Sequence, residues 1–121
     1  MKISRERGAV AVEFALVVPL LVLFLFGIIE GGTRYTQQSE VNHWAFLVAR
    51  DLSIDPTKNA TTLVNALKGS DSTSYTVTAT GNCTTAGTTA VTVTVSASHT
   101  SPSGMFGSYT VKGKGVARCE N

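Results

Sequence analysis

Ala9 to Ile29, AVAVEFALVVPLLVLFLFGII, is the stretch that decides the fold. It holds 21 residues and a single charge, Glu13. Wound as an α-helix it spans about 31 Å, close to the roughly 30 Å hydrocarbon core of a bilayer. Pro19 lies inside it. Proline breaks soluble helices but is tolerated in membrane helices, where it marks a kink or a lost backbone bond. The reading is a single membrane-spanning helix with a kink at Pro19.

The flanks orient it. MKISRERG precedes the run, with Lys2, Arg5 and Arg7 against Glu6; Glu30 and then Arg34 follow it. The positive flank is N-terminal, which predicts a cytoplasmic N-terminus and an extracytoplasmic C-terminal domain. A cleaved secretory signal peptide fits less well, because the run is too long and lacks a clean small-x-small cleavage site. A plain signal anchor explains everything except Glu13.

A carboxylate inside an apolar helix normally has a partner. Its bland reading is interfacial, since Glu13 stands four residues past Ala9. Gly8, however, directly precedes the run. A cut after Gly8 would give Ala9 a new α-amine, with a pKa near about 8 and therefore largely cationic. Glu13 would be the fifth residue of the new chain. It can neutralise the amine of a neighbouring subunit in a medium of low dielectric, or its own amine one helical turn away. Pairing between subunits would set the axial register of a helical bundle.

Gly8 followed by Ala9-Val10-Ala11-Val12-Glu13-Phe14 resembles the prepilin peptidase site of type IV pilin-like proteins. The fuller string RGAVAVEFALVVPLLVLFLFGIIEGG, Arg7 to Gly32, is similar to the N-terminus of the TadE-like family. These are pilin-like minor pilins or pseudopilins of the tight-adherence (Tad, or Flp) pilus system. Glu13-Phe14, Pro19 and Phe26-Gly27-Ile28-Ile29-Glu30 carry the resemblance; Gly31-Gly32 departs from the aromatic-glycine pair that often follows in the family. The resemblance implies processing rather than catalysis. A membrane aspartyl peptidase would cut between Gly8 and Ala9, and Glu13 with Phe14 would contact other subunits. The expected partners are membrane lipid, the prepilin peptidase, other pilin-like subunits and the Tad assembly machinery. Loss of residues 1–8 would leave seven basic and seven acidic residues. The rival reading is a signal-anchored envelope protein that scaffolds pilus or secretion components without cleavage or polymerisation.

Beyond the span, Val41, Trp44, Ala45, Val48 and Leu52 recur at helical spacings, and Asp55-Pro56 predicts a stop. Residues 30–56 therefore read as an amphipathic continuation of the membrane helix, with Gly31-Gly32 permitting a bend. Trp44 and Phe46 are expected to cap the core of the outer domain. Thr57 to Leu67 reads as a short helix capped by Thr57 or Asn59 and ended by Lys68-Gly69. From Ser74 the period changes to two. Tyr75–Thr80, Thr89–Ser96 and Tyr109–Ala117 alternate, with turn chemistry at Gly81-Asn82 and Ala86-Gly87. Val91, Val93 and Val95 should face the helix, and Thr92 and Thr94 solvent. Lys112-Gly113-Lys114-Gly115 reads as a bulged or edge strand whose lysines protect the edge.

The predicted class is α+β: a long N-terminal transmembrane helix continuing into an amphipathic helix, packed on a small antiparallel sheet of three or four strands, as in pilins. The predicted parts are a leader (1–8), the span (9–29), the helical continuation (30–56) and an extracytoplasmic β-rich domain (57–121).

Cys83 and Cys119 both fall outside the span, where oxidation is permitted, and a disulfide is expected. Two free thiols are the alternative; a metal site is poorly supported, because two cysteines without nearby histidine spacing make a weak zinc site. A formal charge of +2 and the lack of a basic stripe argue against nucleic acid. His43 and His99 have no fixed carboxylate partner in sequence, and no phosphate loop, HExxH or serine elbow occurs. The expectation is no catalytic residues, no metal, no cofactor and no small-molecule substrate.

Overall fold

The computed structural model describes residues 3–120, and side chains from Glu6 onward. Lys2 and the side chain of Arg5, two of the three leader cations, lie outside the described residues. The element order is α1 (Ile3–Ile54), α2 (Ala60–Lys68), β1 (Tyr75–Thr80), β2 (Ala90–Thr100) and β3 (Ser108–Arg118). The fold is α+β, with one long helix against a three-stranded antiparallel sheet of order β1-β2-β3.

α1 runs unbroken for 52 residues, about 78 Å at 1.5 Å per residue. It passes through Pro19, Gly27, Gly31 and Gly32 without leaving the helical state. Just past the apolar run, Thr33 and Thr36 donate their hydroxyls to the carbonyls of Ile29 and Gly32, at 2.8 and 2.9 Å. Those bonds add acceptor satisfaction where the glycines leave the backbone open. The helix ends at Ile54 because Pro56 cannot continue it. Asp55 then turns the chain, its Oδ1 accepting from the amide and hydroxyl of Thr57.

α2 begins later than the sequence pattern predicts. Asn59 caps it, its Oδ1 accepting from the amides of Thr61 and Thr62 at 2.9 and 3.2 Å. Thr57 is taken up by the Asp55 turn instead. Gly69 closes the helix at φ 59°, a left-handed conformation that suits a residue without a Cβ.

The core lies between the C-terminal half of α1 and the sheet. Val41, Trp44, Ala45, Val48, Ala49 and Leu52 of α1 are buried against Val91, Val93, Val95 and Ala97 of β2, with Val64 and Val111 completing the cluster. Alternation of β2 places its valines inward and leaves Thr92 and Thr94 partly exposed on the other face. Phe46 does not cap this core. It is 50% exposed, because two residues from Trp44 is more than half a helical turn, and only one of the pair can face the sheet. Trp44 instead meets Tyr75 edge-on, with ring centroids 5.1 Å apart.

β3 carries no bulge. Its register with β2 is continuous from Ala90↔Arg118 to Thr100↔Ser108, with Val95 opposite Gly113 and Val93 opposite Gly115. Both glycines are buried on the helix-facing side, and Lys112 and Lys114 point outward on this edge strand. Cys83, in the β1–β2 connection, is disulfide-bonded to Cys119, just after β3.

Candidate functional site

Two regions of α1 lie outside the hydrophobic core that joins the helix to the sheet. The first is the apolar run. Val10, Val12, Phe14, Leu16, Leu20, Leu21, Leu23, Phe24, Leu25, Ile28 and Ile29 are all more than half exposed. Among the described residues, none of this run is buried within the fold. Of the described residues, α1 holds the one stretch long and apolar enough to cross a membrane. Such a surface requires lipid or other apolar helices around it, since each large apolar side chain left in water forgoes about 1.5–3 kcal/mol.

Gly8, Ala9, Glu13, Phe14 and Pro19 lie along this same exposed helix. Ala9 and Glu13 are four residues apart and thus one turn apart on the same face. A Cβ at Gly8 would meet nothing within 4 Å, so the glycine is not there for packing.

The second region is the exit of α1 from the apolar run. Glu30 directly follows Ile29 and is 5% exposed. Its Oε1 accepts three hydrogen bonds from the β2–β3 loop: from Ser101 Oγ and Ser103 Oγ at 2.5 Å, and from the Ser103 amide at 2.9 Å. The serine hydroxyls hold its carboxyl below the usual carboxylate range, with the Ser103 amide and Arg34 acting in the same direction against desolvation. Its other oxygen, Oε2, is buried without a hydrogen-bond partner.

One turn further on, the Arg34 guanidinium lies 4.3 Å from the centre of the Tyr109 ring. The Tyr109 hydroxyl donates to Gln37 Oε1, and the Gln37 amide nitrogen is 3.3 Å from His99 Nδ1. His99 stands between the rings of Tyr75 and Tyr109. Gln38 then donates to the Lys112 carbonyl at 2.6 Å and accepts from the Lys112 amide, closing one site on the free edge of β3. Glu30, Arg34, Gln37 and Gln38 are thus the polar start of the stripe that becomes apolar at Val41. Sequence reading missed this collar. Its signal was present, since the spacing from Glu30 to Val41 is helical, but the partners of Glu30 lie 71 and 73 residues away.

His43 is exposed on α1, away from His99, and no group of three His, Cys, Asp or Glu able to hold a metal occurs among the described residues.

The family described as TadE-like protein matches residues 8–50. The chain carries a TadE-like segment. It begins at Gly8, spans the whole apolar run and the polar collar, and stops shortly before α1 ends. The match agrees with the resemblance carried by Arg7 to Gly32. No curated protein and no solved structure shows significant similarity to the chain. The sheet lies outside the TadE-like match.

Proposed function

We propose that the chain is a minor pilin or pseudopilin of a Tad-type pilus, inserted in the membrane, cut between Gly8 and Ala9, and then used in pilus assembly. The observation that supports it most is the coincidence of three features on one helix. The TadE-like match starts at Gly8, Glu13 stands one turn past Ala9, and the large apolar side chains that follow are exposed along the run.

In this reading residues 1–8 stay cytoplasmic and the sheet domain lies outside. Gly8 is within α1, so the peptidase must unwind the first turns to reach an extended bond. Glycine makes that easier, since it costs a helix interior about 1 kcal/mol relative to alanine. The new amine of Ala9 pairs with Glu13 of an adjacent subunit, and Phe14 packs beside it. Pro19 supplies a weak point in the helix where apolar helices must adjust to one another. Movement from the bilayer into an assembly exchanges lipid contacts for helix contacts, which van der Waals packing and polar pairing drive rather than the hydrophobic effect.

Intact mass and N-terminal sequencing of the protein from membranes of its native host test this. A chain beginning at Ala9 is expected. A chain beginning at Met1 would favour the uncleaved, signal-anchored scaffold. A start beyond Ile29 would make the apolar run a signal peptide.

A further inference from the structure

We propose that the β2–β3 loop is a second membrane contact, with Met105 and Phe106 seated in the headgroup boundary of the bilayer that α1 crosses. The inference rests on the reading of residues 9–29 as a membrane span.

The contacts between α1 and β3 form an ordered ladder. Gly115 lies against Ala45, and Gly113 against Val41. Lys112 is bonded to Gln38, and Tyr109 to Gln37. Ser103 and Ser101, in the loop before β3, are bonded to Glu30. Stepping back along β3 therefore moves along α1 toward the apolar run. The loop between Thr100 and Ser108 is the end of the domain nearest the span, and Glu30 holds it one residue beyond Ile29.

The loop is a built structure. The Ser101 amide donates to the Gly107 carbonyl at 2.8 Å, and the Gly104 amide to the Ser101 carbonyl at 3.0 Å. The Met105 amide donates to Ser103 Oγ at 3.2 Å. This frame carries two consecutive large apolar side chains at its tip, Met105 at 71% and Phe106 at 58% exposure. No charged residue occurs from Ser101 to Val111. An uncharged tip with a pair of apolar side chains can enter the boundary region to a depth of roughly 5–10 Å, as interfacial segments do. Arg34 and Tyr109, stacked one turn above Glu30, supply the cation and the aromatic ring typical of the interface level.

The occupant follows from continuity. The tip adjoins a helix surface that already requires lipid. The other exposed large apolar residues of the domain, Tyr35, Phe46, Leu47, Ile54, Leu67 and Val116, lie singly or in pairs on α1, on α2 or at the end of β3 far from this loop. Two attachments, a helix and a loop tip, would fix the tilt of the sheet domain on the membrane and so its presentation to partners.

The test uses the full chain in phosphatidylcholine–phosphatidylglycerol vesicles containing lipids brominated either near the headgroup or deep in the acyl chain. A Phe106→Trp, Trp44→Phe chain reports the loop, and a Phe24→Trp, Trp44→Phe chain reports the span. The expected result is that shallow bromolipids quench the loop tryptophan about twofold or more at low protein density, as a depth of roughly 5–10 Å requires. Deep bromolipids should quench the span tryptophan. Quenching of the span tryptophan alone would overturn the loop contact and leave the span reading intact. Failure of both would overturn the span reading itself. Shielding of the loop tryptophan that appears only at high protein density would assign the tip to a second copy of the chain and overturn the membrane contact. Because Trp44→Phe alters the core, the same comparison is repeated with Trp44 retained, as the difference in quenching with and without Phe106→Trp.

Discussion

Gly115 faces the backbone of Ala45 so closely that a Cβ placed on it would stand 2.3 Å from the Ala45 carbonyl carbon and oxygen. Gly113 bears the same relation to Val41, with a Cβ 2.4 Å from that carbonyl. Neither obstacle is a side-chain end that can swing away. The two glycines let β3 lie directly on α1, which brings Val91, Val93 and Val95 of the next strand into contact with the helix stripe.

Gly115→Ala is therefore expected to destabilise the domain by about 1–3 kcal/mol or more, the usual range for forcing atoms into a packed core. Gly31→Ala is the counterpart. Nothing lies within 4 Å of a Cβ there, and alanine should raise helix stability by about 0.5–1 kcal/mol. Denaturation of the full chain in detergent micelles, followed by the emission of Trp44, measures both. Equal effects of the two substitutions would refute the close-packing role.

Cys83 and Cys119 close a loop of 36 residues in sequence separation that contains β2 and β3. Chain-entropy reasoning assigns such a closure about 4 kcal/mol. Reduction, or the double change Cys83→Ser and Cys119→Ser, should lower the midpoint of the Trp44 transition accordingly. An unchanged midpoint under reducing conditions would mean that the reduced chain retains the same constraint by packing alone.

Much of this architecture was legible in the sequence for a simple reason. The apolar run, the α1 stripe of Val41, Trp44, Ala45, Val48 and Leu52, and the alternation of Val91, Val93 and Val95 are periodic, and period fixes which face is buried. What stayed hidden depends on distant partners. Glu30 reads as a flank of the membrane run until Ser101 and Ser103 are brought to it. Gly113 and Gly115 read as weak points in a strand until α1 is laid across them. Phe46 reads as a cap of the core beside Trp44, but its angular position two residues on turns it away from the sheet. The cut proposed at Gly8 and the roles proposed for Glu13 and Pro19 belong to assembly between chains, and the fold of one chain supplies their placement on α1.

Asp71 links the end of α2 to β1. Its Oδ1 accepts from the Thr73 amide at 2.9 Å, and its Oδ2 from the Tyr75 hydroxyl at 2.8 Å. The amide and hydroxyl of Thr73, then the Tyr75 hydroxyl, lower its carboxyl to about 2. Burial, then the bond to Asp71, pushes the Tyr75 phenol up to about 12. The signs follow directly. A carboxyl lowered on folding stabilises above its unfolded value near about 4, and that contribution is lost as pH falls toward about 2. A phenol raised on folding stabilises below about 10, and that contribution is lost as pH rises toward about 12. Stability should form a plateau between these limits. Asp71→Asn should lower the plateau and shrink the acid fall, leaving the parts due to Glu30 and Asp55, whose carboxyls are also lowered. Tyr75→Phe should shrink the alkaline fall. Midpoints measured across pH for the three chains would contradict this account if Asp71→Asn left the acid limb unaltered.

The latch between Glu30 and the β2–β3 loop makes the last prediction. Ser103 donates both its amide and its hydroxyl to one carboxylate oxygen, and Ser101 adds a third bond. Glu30→Ala removes all three acceptor contacts while leaving the core, which begins at Val41, untouched. The Ser103 amide should then exchange its hydrogen several-fold faster, because its opening no longer requires release from a charged acceptor. Amides of the α1 stripe, such as Val48, should keep their protection. Hydrogen exchange on the full chain in micelles resolves the two regions. Faster exchange at Val48 as well would mean that Glu30 supports the whole domain, and unchanged exchange at Ser103 would mean that the loop holds its shape without the helix.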